Sequence, residues 1–332
     1  MPGLTRRLLL AVLATLAPAV AASPVGAAGH AISSARKTGP NVGIVDIYTT
    51  LGFERGRAAG TGMILSPAGV VLTNNHVISG ATKFKVVDVT THKKYSATVA
   101  GYSVSRDVAV LHLAHASGLQ PVELGGTVHL RVGQRIVARG NAQGRGGGPK
   151  TARGRIIALH RQVVARDPLD EPETLRNMIA TNAPVVPGYS GGPLEDLGNR
   201  VLGIVTAGSA SGLHRGFAIR INQALQLARR IESGKPNATV HVGPTAFIGV
   251  VLQDVRGGAG IWHVVPGKPA DKAGLAPGDV ITSIAGRTIS STRDVRHAVL
   301  ALVPGKTVSI HWKSTSGAAR SGTITPISGP PQ

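Results

Sequence analysis

Short runs rich in Val and Ile, separated at even intervals by Gly, Pro or Asn, constrain this fold more than any other feature. The pattern extends from Asn41 to about Glu232 and is typical of an all-β barrel or sandwich. Thr49–Gly60 is predicted to be a short loop that leaves little material for long regulatory insertions. The predicted strands include Val42–Tyr48, Gly69–Thr73, Lys83–Val89, Val108–Leu113, Arg135–Ala138, Arg155–Leu159 and Val201–Thr206.

Two segments depart from this pattern and predict helices. Ile221–Ile231 has helical spacing of apolar residues and ends before the Gly and Pro of Ser233–Pro236. Ser291–Leu302 has an amphipathic pattern, with Val295, Val299 and Leu302 on one face.

A chain of 332 residues is too long for one typical core. We therefore expect two domains with appended segments. Residues 29–40 are predicted to be a flexible lead-in, 41–232 the first domain, 233–245 a linker and 246–329 a smaller second domain.

Residues 1–28 have the pattern of an export signal. A basic start at Arg6 and Arg7 precedes the apolar run Leu8–Val20, and small residues follow it. This run is shorter than the roughly 20 apolar residues that span a bilayer. We expect a cleaved signal, with an uncleaved anchor as the alternative, and a secreted or cell-surface mature protein.

Composition narrows the function classes. The chain has no Cys, which excludes cysteine nucleophiles, thiolate metal sites and disulfides. The 12 histidines show no clustered ligand spacing, so we predict neither metal nor cofactor.

The formal net charge is +20, and basic residues are dense in one stretch of the first domain. This density favours anionic lipid or cell-wall polymers as partners, with a merely solvated surface as the alternative. Nucleic acid is not expected, because aromatic residues that stack on bases are few. The basic residues concerned are Arg131, Arg135, Arg139, Arg145, Lys150, Arg153 and Arg155.

Three residues lie at predicted strand–loop junctions in the order His76, Asp107, Ser190. Ser190 stands in the Gly-rich turn 188–193, where backbone N–H groups can converge on a developing oxyanion. Serine needs a base to accept its proton, and the base needs a carboxylate to fix its tautomer. The joint pattern predicts a catalytic triad.

Residues 188–192 also fit the nucleophile elbow of α/β-hydrolases. In that fold the serine precedes the acid and the histidine, and a helix follows it. Here the order is reversed, and a turn leads into a predicted strand at Val201–Thr206. The elbow interpretation is therefore rejected.

Several segments resemble the HtrA (DegP-like) branch of chymotrypsin-fold serine proteases, most closely its secreted PepA-type members. The resemblance implies a mainly β fold, a chymotrypsin-like double β-barrel followed by an α+β PDZ domain. It also implies that His76 is the general base, Asp107 its orienting carboxylate and Ser190 the nucleophile, with an oxyanion hole at the Gly188 and Ser190 N–H groups. The segments are Gly60–Ser66, Thr73–Val77, Asp107–Leu111, Leu130–Gly133, Gly140–Asn141, Gly188–Leu194, Gly216–Ile219 and Pro244–Gly249.

Two positions depart from the family pattern. Tyr189 replaces the usual Asn or Asp before the nucleophile, and Asn182 replaces a common Asp. Without a carboxylate at 189, activation by a salt bridge to a new N-terminus is unavailable, and loop ordering must set activity.

The resemblance also locates a substrate pocket without a carboxylate. We therefore expect small or medium aliphatic residues before the cut, and no trypsin-like cleavage. The pocket residues it implies are Pro184, Thr206, Ala207, Gly208, Gly216, Phe217 and Ala218.

Phe247, Ile248, Gly249 and Val250 resemble the carboxylate-binding loop of a PDZ domain, and Pro266–Leu275 with Gly278–Ile281 continue the match. This implies capture of hydrophobic peptide C-termini, with a buried strand start as the alternative.

Together these features predict a serine endopeptidase that cleaves unfolded or damaged exported proteins. The alternative is a PDZ binding or scaffold protein at the cell surface, with a protease fold weakened or silenced by Tyr189. A helical turn at 187–190 would favour it. Because relatives often trimerise, the resemblance also suggests a homotrimer.

Overall fold

The computed structural model describes residues 39–52, 56–127, 129–166, 172–208 and 216–332. The predicted signal at 1–28 and most of the predicted lead-in lie outside these residues. No helix within the described ranges is long and apolar enough to cross a membrane.

The first barrel closes because β5 pairs with both β4 and β6, at the two ends of the strand order β5-β4-β1-β2-β3-β6. Its interior is filled by side chains such as Ile47, Val71, Tyr102 and Leu111, all fully buried. A short helix, α1 (Asn75–Ile78), follows the third strand. The strands are β1 (Ile44–Leu51), β2 (Gly56–Ile64), β3 (Val70–Thr73), β4 (Ala81–Asp88), β5 (Lys94–Ser103) and β6 (Val108–Leu113).

The loop predicted at Thr49–Gly60 is wrong, because β1 extends to Leu51 and β2 begins at Gly56. Small residues occupy β2 because neighbouring groups are close. A Cβ at Gly60 would lie 2.7 Å from Val77 and 3.2 Å from the Ser190 carbonyl oxygen. Tertiary crowding here overrides low intrinsic strand propensity.

The second barrel closes in the same way, since β11 pairs with both β8 and β12. A two-residue strand, β7 (Glu123–Leu124), adds parallel to the outside of β12. The barrel strands are β8 (Arg135–Gly140), β9 (Lys150–Arg166), β10 (Pro172–Thr181), β11 (Pro193–Glu195), β12 (Arg200–Gly208) and β13 (Gly216–Arg220).

The predicted helix after the second barrel is confirmed as α2 (Ile221–Glu232). It buries Ile221, Ala228 and Ile231 on the predicted face, together with Ala224. Within the predicted linker, β14 (His241–Val242) pairs with β5 of the first barrel.

The last domain combines a two-stranded sheet, a larger antiparallel sheet and two helices, α3 (Pro269–Lys272) and α4 (Thr292–Leu300). The predicted face of α4 is confirmed, with Val295 and Val299 buried, and Ser291 caps its N-terminus. The fold is therefore mainly β, as predicted. The strands are β15 (Thr245–Phe247), β16 (Val250–Val255), β17 (Gly258–Val264), β18 (Val280–Ile284), β19 (Arg287–Thr288), β20 (Val308–Lys313), β21 (Ala319–Ile324) and β22 (Ile327–Gly329).

Candidate active site

His76 and Asp107 meet at the ends of elements of the first barrel. His76 lies in α1, directly after β3, and Asp107 ends a short 3-10 turn in a left-handed conformation before β6. The His76 Nδ1 atom lies 2.9 and 3.0 Å from the two Asp107 carboxylate oxygens. The His76 backbone N–H also donates to Asp107 Oδ1, at 3.0 Å. The carboxylate therefore fixes both the ring and the main chain of the histidine.

Thr206 on β12 connects this pair to Ser190. Its hydroxyl donates to Asp107 Oδ2, and its carbonyl oxygen accepts a hydrogen bond from Ser190 Oγ at 3.4 Å. Within the described residues, the Ser190 hydroxyl bonds to Thr206 rather than to His76. Catalytic hydrogen bonds are often absent or long before substrate binds. The structure thus brings the three predicted residues together, and Thr206 touches two of them.

The environment of His76 shifts the pKa of its ring. Burial alone would lower this pKa, but the charge of Asp107 and its hydrogen bond outweigh burial, and the pKa is raised above its ordinary value of 6.5. An ion-paired imidazolium is favoured in this way. The side chain keeps 31% of its surface exposed, which leaves it accessible to substrate.

Asn74 is a site residue that sequence reasoning missed. It is fully buried; its Nδ2 donates to the Asp107 carbonyl oxygen, and its Oδ1 accepts from the Gly191 N–H, both at 2.7 Å. The side chain therefore connects the turn at Asp107 in the first barrel to residues 187–192 in the second, called the nucleophile loop after the predicted role of Ser190. Its position two residues before His76 is the signal that could have identified it.

The turn before Ser190, the predicted nucleophile, is a β-turn with Pro187 and Gly188 in its centre. The Tyr189 N–H donates to the Val186 carbonyl oxygen at 3.2 Å, and Gly188 has a φ of +97°. Pro followed by Gly with positive φ defines a type II turn. The helical turn that would favour a silent enzyme is not formed here.

The peptide between Pro187 and Gly188 has a fixed orientation. Its carbonyl oxygen accepts the Gln143 N–H at 2.7 Å, and a trans peptide places its own N–H on the opposite side. Within the described residues, the N–H groups of Gly188 and Ser190 have no hydrogen-bond partner. A Cβ at Gly188 would lie 2.0 Å from the Asn141 carbonyl oxygen, so only glycine fits.

Thr61 on β2 braces the same turn from the first barrel. Its hydroxyl donates to the Gly188 carbonyl oxygen at 2.7 Å and accepts from the Asn141 N–H at 2.9 Å. Its own N–H donates to the Ser190 carbonyl oxygen at 2.8 Å. The nucleophile loop is thus held from both of its faces.

Tyr189 points away from the predicted oxyanion site. Its side chain is 4% exposed and packs in the apolar core of the second barrel with Ile136, Leu194 and Val205. Burial raises the pKa of its phenol. The aromatic ring is therefore a core side chain here, and the turn keeps its shape around it.

Asn182, the other departure, bonds to the neighbouring strand. Its Oδ1 accepts the Arg155 N–H at 2.7 Å, and its own N–H donates to the Arg155 carbonyl oxygen at 3.2 Å. This pair continues the β9–β10 ladder beyond Thr181. The residue acts on barrel structure, away from His76 and Ser190.

The predicted pocket residues differ in burial, and not all of them lie where a pocket wall would need them. Pro184 is exposed, Phe217 is half-buried, and Gly216 pairs with Gly208 across β12 and β13. Ala218 is fully buried among the second-barrel core side chains rather than on a pocket wall. The Thr206 hydroxyl donates to Asp107, and Ala207 pairs with Phe217 across β12 and β13.

The predicted peptide-binding loop joins β15, which ends at Phe247, to β16, which begins at Val250. The Ile248 carbonyl accepts the Ala270 N–H at 2.8 Å, and the Gly249 carbonyl accepts the Val265 N–H at 2.9 Å. Both carbonyls therefore point into the domain. Strand β16 is the edge of its sheet.

The arginine-rich stretch is only partly a surface feature. Arg139 is buried, and its guanidinium contacts Glu195 at 2.7 Å, Asn199 at 3.1 Å and Thr151 at 3.1 Å. Arg139 is therefore paired inside the barrel and does not contribute to the predicted basic surface. The six other cations of the stretch are exposed.

Metal-ligating side chains do not gather in the described part of the chain. No group of three or more His, Cys, Asp or Glu there could hold a metal ion.

Comparison with family models identifies both domains. Residues 60–204 match the trypsin-like peptidase domain, and residues 246–314 match the PDZ domain. The first match contains His76, Asp107 and Ser190.

The curated relatives of this chain are also named as serine proteases. Serine protease PepD of Mycobacterium tuberculosis is 33% identical, and the alignment covers 95% of this chain and 69% of PepD. The periplasmic pH-dependent serine endoprotease DegQ of Escherichia coli is 33% identical over 76% of this chain and 55% of its own length. This chain therefore spans about half of DegQ and a larger share of PepD.

A solved structure of the HtrA-type protease AlgW with a tripeptide matches with a TM-score of 0.52 and 28% identity. The match covers 88% of this chain and 95% of that one. The predicted combination of a trypsin-like serine protease domain with a PDZ domain is confirmed. This chain belongs to the HtrA-type family of trypsin-like serine proteases that carry a PDZ domain.

Proposed function

We propose that this protein is an active serine endopeptidase, with Ser190 as nucleophile, His76 as general base and Asp107 as its orienting carboxylate. The observation that carries the proposal is the hydrogen-bonded chain from His76 through Asp107 and Thr206 to Ser190. His76 accepts the Ser190 proton as Oγ attacks the scissile carbonyl, and Asp107 stabilises the imidazolium that results. His76 then returns the proton to the leaving amine and activates a water for deacylation.

The oxyanion of the tetrahedral intermediate is stabilised by the N–H groups of Gly188 and Ser190. Support comes from the type II turn and from the lack of other partners for these two N–H groups within the described residues. Because Thr61 and Gln143 hold the turn, the donors are oriented before substrate arrives. Such preorganised donors are a large part of protease catalysis.

The PDZ domain captures hydrophobic peptide C-termini at Phe247–Val250. The carbonyls of Ile248 and Gly249 are engaged inside the domain. The N–H groups of Gly249 and Val250 then face outward across trans peptides, where a carboxylate can accept from them. The peptide adds as a strand to the β16 edge beside α4.

The proposed substrates are unfolded or damaged exported proteins, cut after small or medium aliphatic residues. Several relatives are named as periplasmic proteases, which supports action outside the cytoplasm. Export through residues 1–28, association with anionic cell-surface polymers or lipid, and a homotrimer stay predictions.

Cleavage of unfolded casein by the wild-type chain and by Ser190→Ala tests the catalytic proposal. We expect cleavage by the wild type that disappears in the variant, with cut sites after aliphatic residues. Thermal unfolding of both proteins serves as the control for folding. If neither folded protein cuts casein, even with hydrophobic C-terminal peptides added, the chain is a binding protein with a silent protease fold.

A further inference from the structure

A groove of about 870 Å³ lies beside the nucleophile loop, against β1, β2 and β4 of the first barrel. Pro187 and Gly188 of the type II turn form one wall, and Gln143 and Gly144 form another. The predicted pocket for the residue before the cut is built from second-barrel strands. The groove therefore lies across the turn from that pocket, where the leaving-group side of a substrate would extend.

Three cations project from the sheet face that lines this groove. Thr50 of β1 pairs with Arg57 of β2 on one side and with Lys83 of β4 on the other. Lys85 lies two residues further along β4, and residues two apart in a strand share a face. All three side chains are exposed, and Lys85 Nζ lies 5.4 Å from the centre of the Tyr48 ring.

The described residues that line the groove carry charge of one sign only. Among the described residues that line it none is acidic, and in that part of the chain its three cations form no ion pair. Asp46 shares the sheet face but is 3% exposed, and burial raises its pKa to about 6. It is thus shielded from a ligand, and the exposed charges on the described lining residues are positive.

Strand β2 gives the approximate distance between Arg57 and the loop that carries Ser190. The Thr61 N–H contacts the Ser190 carbonyl oxygen at 2.8 Å, and Arg57 precedes Thr61 by four residues on β2. A strand rises about 3.3 Å per residue, which places Arg57 about 13 Å along it. At the same rise an extended substrate covers this distance in about four residues, so its second to fourth residues after the cut lie between Ser190 and Arg57.

We propose that this groove binds the leaving-group side of the polypeptide substrate and selects acidic side chains at the second to fourth positions after the scissile bond. This inference rests on the proposed endopeptidase function and assigns a substrate preference to the same site. Opposite charges at partly exposed positions favour the correct partner and speed its association.

Matched peptides test this preference. They share their sequence before the cut and carry Asp, Ala or Lys at the third position after it. We expect kcat/KM for the Asp peptide to exceed that for the Ala peptide about three- to tenfold at low salt, with the Lys peptide slowest. The differences shrink at high salt because the charges are exposed. An Asp peptide cut no faster than the Ala peptide would overturn the proposal.

Reversing the charge of the groove lysines tests whether they cause the preference for acidic peptides. The double substitution Lys83→Glu and Lys85→Glu is expected to invert the Asp-to-Lys preference. Lys93→Glu is the matched control, since Lys93 is also exposed and its Nζ lies 5.1 Å from the Tyr95 ring, outside the groove. It should keep the wild-type preference. The same preference in all three proteins would contradict the assignment.

Binding to Ser190→Ala separates the groove from catalysis. Fluorescent peptides that represent only the leaving-group side, with Asp or Ala, are titrated by anisotropy. We expect the Asp peptide to bind several-fold more tightly, and the difference to disappear with Lys83→Glu and Lys85→Glu. Equal binding overturns the groove proposal whether or not casein is cut. Selective binding without any cleavage supports the groove while the endopeptidase proposal fails.

Discussion

Replacing Tyr189 with Ala tests whether the residue before the nucleophile acts through packing. Its side chain is 4% exposed within the second-barrel core. Truncation of a buried aromatic costs about 3–5 kcal/mol, because burial is lost and a cavity remains. In a domain of roughly 150–250 residues, 1 kcal/mol lowers Tm by about 2–4 °C. We therefore expect Tm to fall by about 6–20 °C.

Tyr189→Phe is the matched control, since it keeps the ring and removes only the hydroxyl. We expect its free energy of unfolding to stay within about 1 kcal/mol of the wild type. Urea unfolding followed by circular dichroism gives both values, provided that the m-value is unchanged. Superimposed unfolding curves for Tyr189→Ala and the wild type would refute the packing argument.

The same variants distinguish packing from inhibition. The Tyr189 backbone closes two turns. Its N–H donates to the Val186 carbonyl oxygen, and its own carbonyl oxygen accepts from the Gly192 N–H at 2.9 Å. Without the ring as anchor, the oxyanion donors lose their orientation, and kcat falls by up to about 10²-fold at a temperature where both proteins are folded. Faster cleavage by Tyr189→Ala would show instead that the tyrosine restrains the enzyme.

Three further predictions concern the same site. Because His76 must be neutral to accept a proton and its pKa is raised, kcat/KM should rise with pH through a midpoint above 6.5; a pH profile with a lower midpoint contradicts this. Gly188→Ala places a Cβ against the Asn141 carbonyl, so casein cleavage should fall about 10²- to 10³-fold; wild-type rates would refute the turn geometry. Asn74→Ala removes two buried 2.7 Å hydrogen bonds and should cost about 2 kcal/mol in urea unfolding; an unchanged midpoint would show that the bridge carries no stability.

The sequence predicted those elements whose residues show a regular local pattern. Helices α2 and α4 follow from apolar spacing, since their buried residues recur with the helical period. The order and context of His76, Asp107 and Ser190 pointed to one site because each residue ends or begins a strand-like run.

What the sequence did not predict depends on contacts between distant segments. Strand β2 has mostly small residues, and its conformation is set by β1, with which it pairs from Gly56 to Met63. The Thr206 hydroxyl donates to Asp107, which lies 99 residues earlier in the chain. Because this contact leaves no local signal, the sequence predicted Thr206 only as a residue of the pocket wall. Arg139 was counted with surface cations because its partner Glu195 is 56 residues away.

The hydrogen bonds around Ser190 imply that the first barrel controls the nucleophile loop as directly as it supplies the histidine. Thr61 engages the carbonyl oxygens of Gly188 and Ser190, and Asn74 engages the Gly191 N–H, so the two peptide groups 188–189 and 190–191 have partners on the first barrel. Separation of the barrels would therefore release the oxyanion turn before it disturbed the pairing of His76 with Asp107. Since Gly188 and Arg57–Ala59 of β2 line the same groove, a ligand bound there would contact both, and its binding energy would favour the closed arrangement. An acidic leaving-group segment would then raise kcat as well as lower KM, which distinguishes this coupling from simple tethering.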